Sequence, residues 1–196
     1  MGQPWGAAGN GKYQKNLKKA CRRGWGKKNM RKNYRIKQRE QIFSIFGANS
    51  NGLWGKLDSL RDNINFFKNP TCINIQETKL RFQGKVKLDG YQVFETVRTG
   101  MGGGLLTAVS LDISPVLISA GNEHIEMIVV QGKVGNQDIR IFNCYGPQEV
   151  TQSQRPTAEQ KQVVNNFWIE LEKEVISAKE AGALLVIQMD ANAKVG

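Results

Sequence analysis

Ala183-Leu184-Leu185-Val186-Ile187-Gln188-Met189 followed by Asp190-Ala191-Asn192-Ala193 is the stretch that sets the fold class. Its apolar half is too short for an ordinary helix, is rich in branched aliphatics, and is bounded by Gly182 and a polar loop. It therefore reads as a buried strand. Asp190 and Asn192 are poor strand residues and belong past the strand end, where sheet proteins gather reactive groups. An acid and an amide two residues apart suit the positioning of a water and a phosphate. Taken alone, Asp-x-Asn is also a common turn sequence.

Three further strands end in the same way. Thr71-Cys72-Ile73-Asn74-Ile75-Gln76 alternates as a half-buried strand and runs into Glu77-Thr78-Lys79. Phe43-Ser44-Ile45-Phe46-Gly47-Ala48 delivers Asn49-Ser50-Asn51-Gly52-Leu53, and Ile139-Arg140-Ile141-Phe142-Asn143-Cys144 delivers Tyr145-Gly146-Pro147. Four apolar strands, each ending in an oxygen-bearing side chain, form the layout expected of a hard-cation site. Carboxylate and amide oxygens without neighbouring His or Cys favour Mg²⁺ over Zn²⁺, with Mn²⁺ as an alternative occupant.

In this order and spacing, residues 41–196 resemble the endonuclease/exonuclease/phosphatase superfamily, and within it the apurinic-type endonuclease domain of non-LTR (LINE-type) retrotransposons. Asn49-Ser50-Asn51 stands at that family's first Asn motif. Ile75-Gln76-Glu77-Thr78-Lys79 matches its Gln-Glu-Thr motif, and Met101-Gly102-Gly103-Gly104-Leu105 its Gly-rich strand start. Asn143-Cys144-Tyr145-Gly146-Pro147 is similar to its Asn-x-Tyr-x-Pro motif. Met189-Asp190-Ala191-Asn192-Ala193 is similar to its Gly-Asp-x-Asn-Ala motif, with Met189 in place of the usual Gly. Each motif is short; five in order are specific. The family's closing Ser-Asp-His motif is not reached before Gly196, so a C-terminally truncated domain is expected. The only histidine, His124, is read as an ordinary strand or surface residue rather than a displaced base.

The resemblance implies two packed mixed β-sheets flanked by helices, an α/β layered sandwich, with the active site at one end. It implies a Mg²⁺-dependent phosphodiesterase that nicks DNA, with a reverse transcriptase domain as the implied partner in a full-length polyprotein. Glu77 would be the main metal ligand, helped by Asn49 and supported by Asn51. Asp190 would orient or deprotonate the attacking water, and Asn192 and Tyr145 would contact the phosphate. Gln148, and with it Asn143, are further phosphate-binding candidates. The alternatives are a phosphatase or RNA-trimming nuclease of the same fold, and a catalytically dead nucleic-acid-binding remnant. Singly, each of these residues also has a bland role as strand exit, turn or loop anchor.

Charge divides the chain. Residues 1–40 hold 13 of the 28 Lys and Arg and one of the 17 acids, a net of +12; residues 41–196 carry 15 basic and 16 acidic residues, a net of −1. The basic arm includes Lys18, Lys19, Arg22, Arg23, Lys27, Lys28, Arg31 and Lys32, interleaved with Trp5, Tyr13, Trp25 and Tyr34. With few aliphatics it cannot bury enough surface to fold alone, so a disordered arm is expected. Its cations suit phosphates and its rings suit stacking on bases, which makes nucleic acid, DNA first, the expected partner. Nuclear targeting and a merely solvated tail are the competing readings. Neither a secretory signal nor an apolar run of the ~18 residues a membrane span requires is found. Three cysteines without metal-like spacing point to a reducing compartment, nucleus or cytoplasm, rather than secretion.

Between the strand exits the sequence predicts a helix from about Trp54 to Lys68, with Leu57, Leu60, Ile64 and Phe67 on one face. Strands are expected over Tyr91–Val97 and Leu105–Val109, and near residues 113–118, 124–131 and 138–144. A long helix from Thr157 to Ala181 should open with a capping box of Thr157 and Gln160 and stop at Gly182. Its buried stripe would be Val164, Phe167, Leu171 and Val175.

Overall fold

A computed structural model of the chain describes residues 42–98, 103–122, 124–147 and 157–192. The basic arm, Gln148 and most of the Gly-rich connection lie outside them. Among the described residues eight strands form two sheets of four. The first has spatial order β1 (Ile45–Asn49), β2 (Cys72–Gln76), β4 (Leu105–Ser110), β3 (Tyr91–Thr96). The second runs β5 (Val116–Asn122), β6 (Ile125–Val134), β7 (Gln137–Tyr145), β8 (Leu184–Asp190). Helix α1 (Leu57–Phe66), entered through a 3₁₀ turn at Trp54–Lys56, connects β1 to β2. Helix α2 (Ala158–Glu180) lies between β7 and β8 in sequence. The expected α/β sandwich is the observed architecture.

Each sheet is mixed in the same manner. β1 pairs with β2 in parallel, as β7 does with β8, and the remaining pairs are antiparallel. Parallel neighbours require a crossover, which the helices supply. The apolar residues sort into three layers. Leu60 and Ile64 of α1 meet Ile73, Ile75, Leu106 and Ala108 on the outer face of the first sheet. Cys72, Leu105, Val109, Ile128, Val130, Ile139 and Ile141 fill the space between the sheets. Phe167, Leu171 and Ala178 of α2 cover Met127, Val129, Phe142 and Cys144 on the outer face of the second. Strands β2 and β7 are thus covered on both faces, which explains the unbroken burial of Ile139–Tyr145 and corrects the half-buried reading of β2, whose Cys72–Gln76 are all buried.

The capping box of α2 forms as expected, with the Thr157 side chain accepting from the Gln160 amide and the Gln160 side chain accepting from the Thr157 amide. Three expectations need correction. β1 starts at Ile45 rather than at Phe43 and includes Asn49. Phe67 is half-exposed beyond the end of α1, stacked edgewise on Phe66 rather than buried. β8 is an edge strand among the described residues, paired only with β7, and leaves Leu184 and Ile187 about half exposed. No helix among the described residues is long and apolar enough to cross a membrane.

Candidate functional site at four strand ends

Parallel pairing sets the C-terminal ends of β1 and β2 side by side, and likewise those of β7 and β8. Two hydrogen bonds across the sheets bring these two pairs together. Asn49 Nδ2 donates to Asp190 Oδ2 at 2.9 Å, and the Tyr145 hydroxyl donates to Glu77 Oε1 at 2.7 Å. Asn49 Nδ2 also donates to Glu77 Oε1 at 3.0 Å, so one amide nitrogen bridges the two carboxylates. Residues separated by up to 141 positions in sequence converge on one point.

The loops carrying these side chains are laced by backbone hydrogen bonds. Ser50 N–H donates to the Gln76 carbonyl, Gly52 N–H to that of Glu77 and Leu53 N–H to that of Thr78. Thr78 and Lys79 N–H groups donate to Gly104 and Gly103. Gly104 has φ +83° and approaches Thr78 so closely that an added Cβ would lie 2.7 Å from its hydroxyl, so both conformation and space require glycine. Across the site Gly146 N–H donates to the Asp190 carbonyl at 2.7 Å, and Asn192 Nδ2 donates to the Gly146 carbonyl at 2.6 Å.

Backbone strain concentrates here. Of seven non-glycine residues with positive φ among those described, four lie in these loops: Asn51, Glu77, Lys79 and Asn192. Left-handed backbone is routine for Asn but costs a glutamate or lysine about 1–2 kcal/mol. Such strain persists only where surrounding structure over-determines it, and it clusters at functional sites. The lacing around Glu77 is that over-determination.

Electrostatics agree with the geometry. Hydrogen bonds from Asn49 and then Tyr145 hold the Glu77 carboxyl below the usual carboxylate range; partial burial and the Asp190 charge oppose this, while Lys79 assists. Lys79 Nζ stands 4.0 Å from Glu77 Oε2 and also donates to Asn51 Oδ1. Two carboxylates that repel each other are therefore bridged by the polar hydrogens of an amide and flanked by an ammonium.

The structure gathers Asn49, Glu77, Tyr145, Asp190 and Asn192. It departs from the sequence reading at three residues. Asn143 is not at the site surface. It is fully buried between the sheets, accepting from Gln76 Nε2 at 2.8 Å and donating to the Leu106 carbonyl at 2.9 Å and Thr107 Oγ1 at 3.1 Å. Its hydrogen-bonding capacity is spent on joining β7 to β2 and β4, which corrects the phosphate-binding expectation. Asn51 directs its side-chain oxygen to Lys79, and only its backbone N–H reaches Asn49 Oδ1. Asn192 has its amide nitrogen on Gly146, holding the exits of β7 and β8 together. Gln148 lies outside the described residues. Met189 packs against the α2-side core.

Sequence reasoning missed Lys79 as a site cation, although it stands two residues after Glu77 in a quoted motif. It also missed Ser50, whose hydroxyl donates to the carbonyls of Gln76 and Glu77. His124 is exposed ahead of β6, and its N–H donates to Asn122 Oδ1.

Among the described residues no group of three or more His, Cys, Asp and Glu could by itself hold a metal. The donor set nevertheless fits a hard cation. Two carboxylates, those of Glu77 and Asp190, converge on one point, and Mg²⁺ takes one or two carboxylates, completing its shell with water and substrate phosphate.

No family model matches the sequence, and no curated protein matches it. Solved structures do. TDP2 from Caenorhabditis elegans aligns with a TM-score of 0.53 at 20% identity, over 77% of this chain and 47% of that one. The 3′ phosphatase NExo from Neisseria, bound to product DNA hairpin, aligns with a TM-score of 0.56 at 17% identity, over 77% and 58%. The endonuclease domain of TRAS1, a telomere-specific non-LTR retrotransposon, aligns with a TM-score of 0.50 at 19% identity, over 79% and 61%. The chain thus spans about half to three-fifths of the length of these structures. The likeness shows the fold alone, an α/β sandwich of two mixed sheets shared with these structures. Phosphatases and endonucleases are among the proteins that share it.

Proposed function

We propose that this chain is a divalent-metal-dependent phosphodiesterase that nicks DNA, of the type encoded by non-LTR retrotransposons. The observation that carries the reading is the convergence of Glu77, Asp190, Asn49 and Tyr145 from four strand ends. The order of the motifs and the fold shared with the TRAS1 endonuclease domain support the particular type.

Glu77 would hold Mg²⁺ or Mn²⁺ with Asp190 beside it, and Asn49 could ligate only through its Oδ1, which here accepts from the Asn51 N–H; the bound ion would supply charge stabilisation for the phosphate oxygens. Every other part of the chemistry falls to the chain itself. Glu77, whose carboxyl Asn49 and Tyr145 hold below the usual carboxylate range, offers the negative charge. Asp190 is the acceptor that orients a water toward the phosphate and takes its proton. The Tyr145 hydroxyl and the Lys79 ammonium are donors at the position where negative charge develops. Asn192 keeps the Asp190 loop in register with the β7 exit, both through Gly146 and through its own N–H donating to Asp190 Oδ1 at 3.1 Å. The Lys and Arg residues of the basic arm would supply a salt-sensitive, sequence-independent contact to the DNA backbone.

The test is relaxation of supercoiled plasmid in Mg²⁺, with and without chelator. Chelator-sensitive conversion to open circles, lost in Glu77→Gln and in Asp190→Asn, is the expected result. Absence of nicking by the folded protein, together with release of phosphate from a 3′-phosphorylated oligonucleotide, would replace the reading with a phosphatase.

A further inference from the structure

A cavity of about 300 Å³ opens beside the site and shares Tyr145 with it, since Tyr145 lines the cavity and its hydroxyl donates to Glu77. It lies among the exits of β3 and β7, the start of β6 and the first turns of α2. Val163, Val164 and Pro147 give it an apolar wall, and Arg98 and Glu126 a polar one. Its size is at the lower end for small-molecule sites, room for one nucleotide rather than a base pair.

The polar wall is built rather than incidental. Arg98 Nη1 donates to Glu126 Oε1 at 3.0 Å, and the Gly104 N–H donates to Glu126 Oε2 at 3.1 Å. Glu126 is buried, whereas the Arg98 side chain is about half exposed. The acid is therefore spent on fixing the guanidinium and the Gly-rich turn, while the guanidinium keeps solvent-facing donors. Gly103 fits because an added Cβ would lie 2.2 Å from Glu126 Oε1. An arginine held by one edge is pre-organised to meet a phosphate with its remaining N–H groups. Glu159, an exposed residue of the first turn of α2, also lines the cavity.

Resting on the phosphodiesterase reading, we propose that this cavity is a nucleotide subsite. It takes the nucleotide next to the phosphate held at Glu77 and Asp190, with the base against Val163, Val164 and Pro147 and that nucleotide's own phosphate on Arg98. Tyr145 is the shared wall that sets the spacing between the two. Apolar contact for the base beside a cation for the backbone phosphate is a common pairing in single-stranded nucleic-acid sites, here with aliphatic side chains in place of aromatic ones.

Two measurements on the full chain decide it. The first needs no turnover: photocrosslinking of an oligonucleotide bearing 5-iodouracil in chelator, followed by peptide mapping. Crosslinks in the peptides carrying Tyr145–Pro147 or Val163–Trp168 are expected; crosslinks confined to residues 1–41 would overturn the subsite. The second compares Val163→Trp and Arg98→Ala with wild type on polynucleotide and on bis(4-nitrophenyl) phosphate, which has no flanking nucleotide. A loss of about tenfold in kcat/KM on polynucleotide alone is expected, the scale of one stacked base. Equal losses on both substrates, or none, would contradict the proposal. If wild type hydrolyses neither substrate, the phosphodiesterase reading fails and the crosslink still decides the subsite.

Discussion

The inner strands β2 and β7 and the edge strands β1 and β8 deliver the same number of site residues by different means. Every residue of β2 is buried, as are Ile139–Tyr145 of β7, whereas β1 and β8 expose Ile45, Leu184 and Ile187. Glu77 and Tyr145 are thus placed by packed core and by the buried Gln76–Asn143 amide pair one and two residues behind them. Asn49 and Asp190 stand on strands paired on one side only among the described residues, and they join the site through Asn49 Nδ2. The inner exits form a fixed frame, and the edge exits are docked to it by side-chain hydrogen bonds.

Substitutions should separate the two halves by their effect on stability. Asn143→Leu strips partners from Gln76, Leu106 and Thr107 in the buried layer and should cost about 3 kcal/mol. That corresponds to a melting temperature lower by about 6–12 °C for a chain of this size. Ile187→Thr on exposed β8 should stay within about 0.5 kcal/mol in the same calorimetric comparison. Equal losses at the two positions would mean that the frame and the docked strands are not distinct.

The next effect is backbone strain at the inner exit. Glu77→Asn puts a residue tolerant of φ +49° at that position, and Glu77→Val puts a β-branched one there. Denaturant unfolding should find the Asn variant more stable than the Val variant by about 1 kcal/mol. No difference would show that the left-handed backbone is absent in solution.

A smaller effect tests the docking bonds. Because Asn49 and Tyr145 hold the Glu77 carboxyl below its ordinary range, Glu77 stabilises the fold above that range. That contribution is lost as pH falls through the lowered folded value. In metal-free protein, Asn49→Ala and Tyr145→Phe should each move the Glu77 midpoint upward, read by carboxyl ¹³C shifts. Smaller still, the thiols of Cys72 and Cys144, each pushed up to about 12 by burial, should react with a thiol reagent only on unfolding.

The strand exits, the helix between β1 and β2, and the capping box of α2 were legible because period, caps and polar terminators are local signals. The role of Asn143 was not. On a strand buried on both faces no alternation says which way a polar residue points, and its parity with Ile141 and Tyr145 turns it between the sheets. β8 misled for a related reason: an apolar run reads the same in the centre of a sheet as at its edge, and only pairing separates them. Lys79 with Asn51, and Arg98 with Glu126, are each pairs 28 residues apart, formed by tertiary placement that no spacing rule reaches.

Under the proposed function, four strand ends from two sheets make one hard-cation site. Mn²⁺ titration followed by electron paramagnetic resonance tests it directly, since the free ion's signal falls as it binds. One site is expected in the wild-type chain, weakened at least about tenfold in Glu77→Gln and, separately, in Asp190→Asn, with both variants folded. Undiminished Mn²⁺ binding in either variant would contradict it.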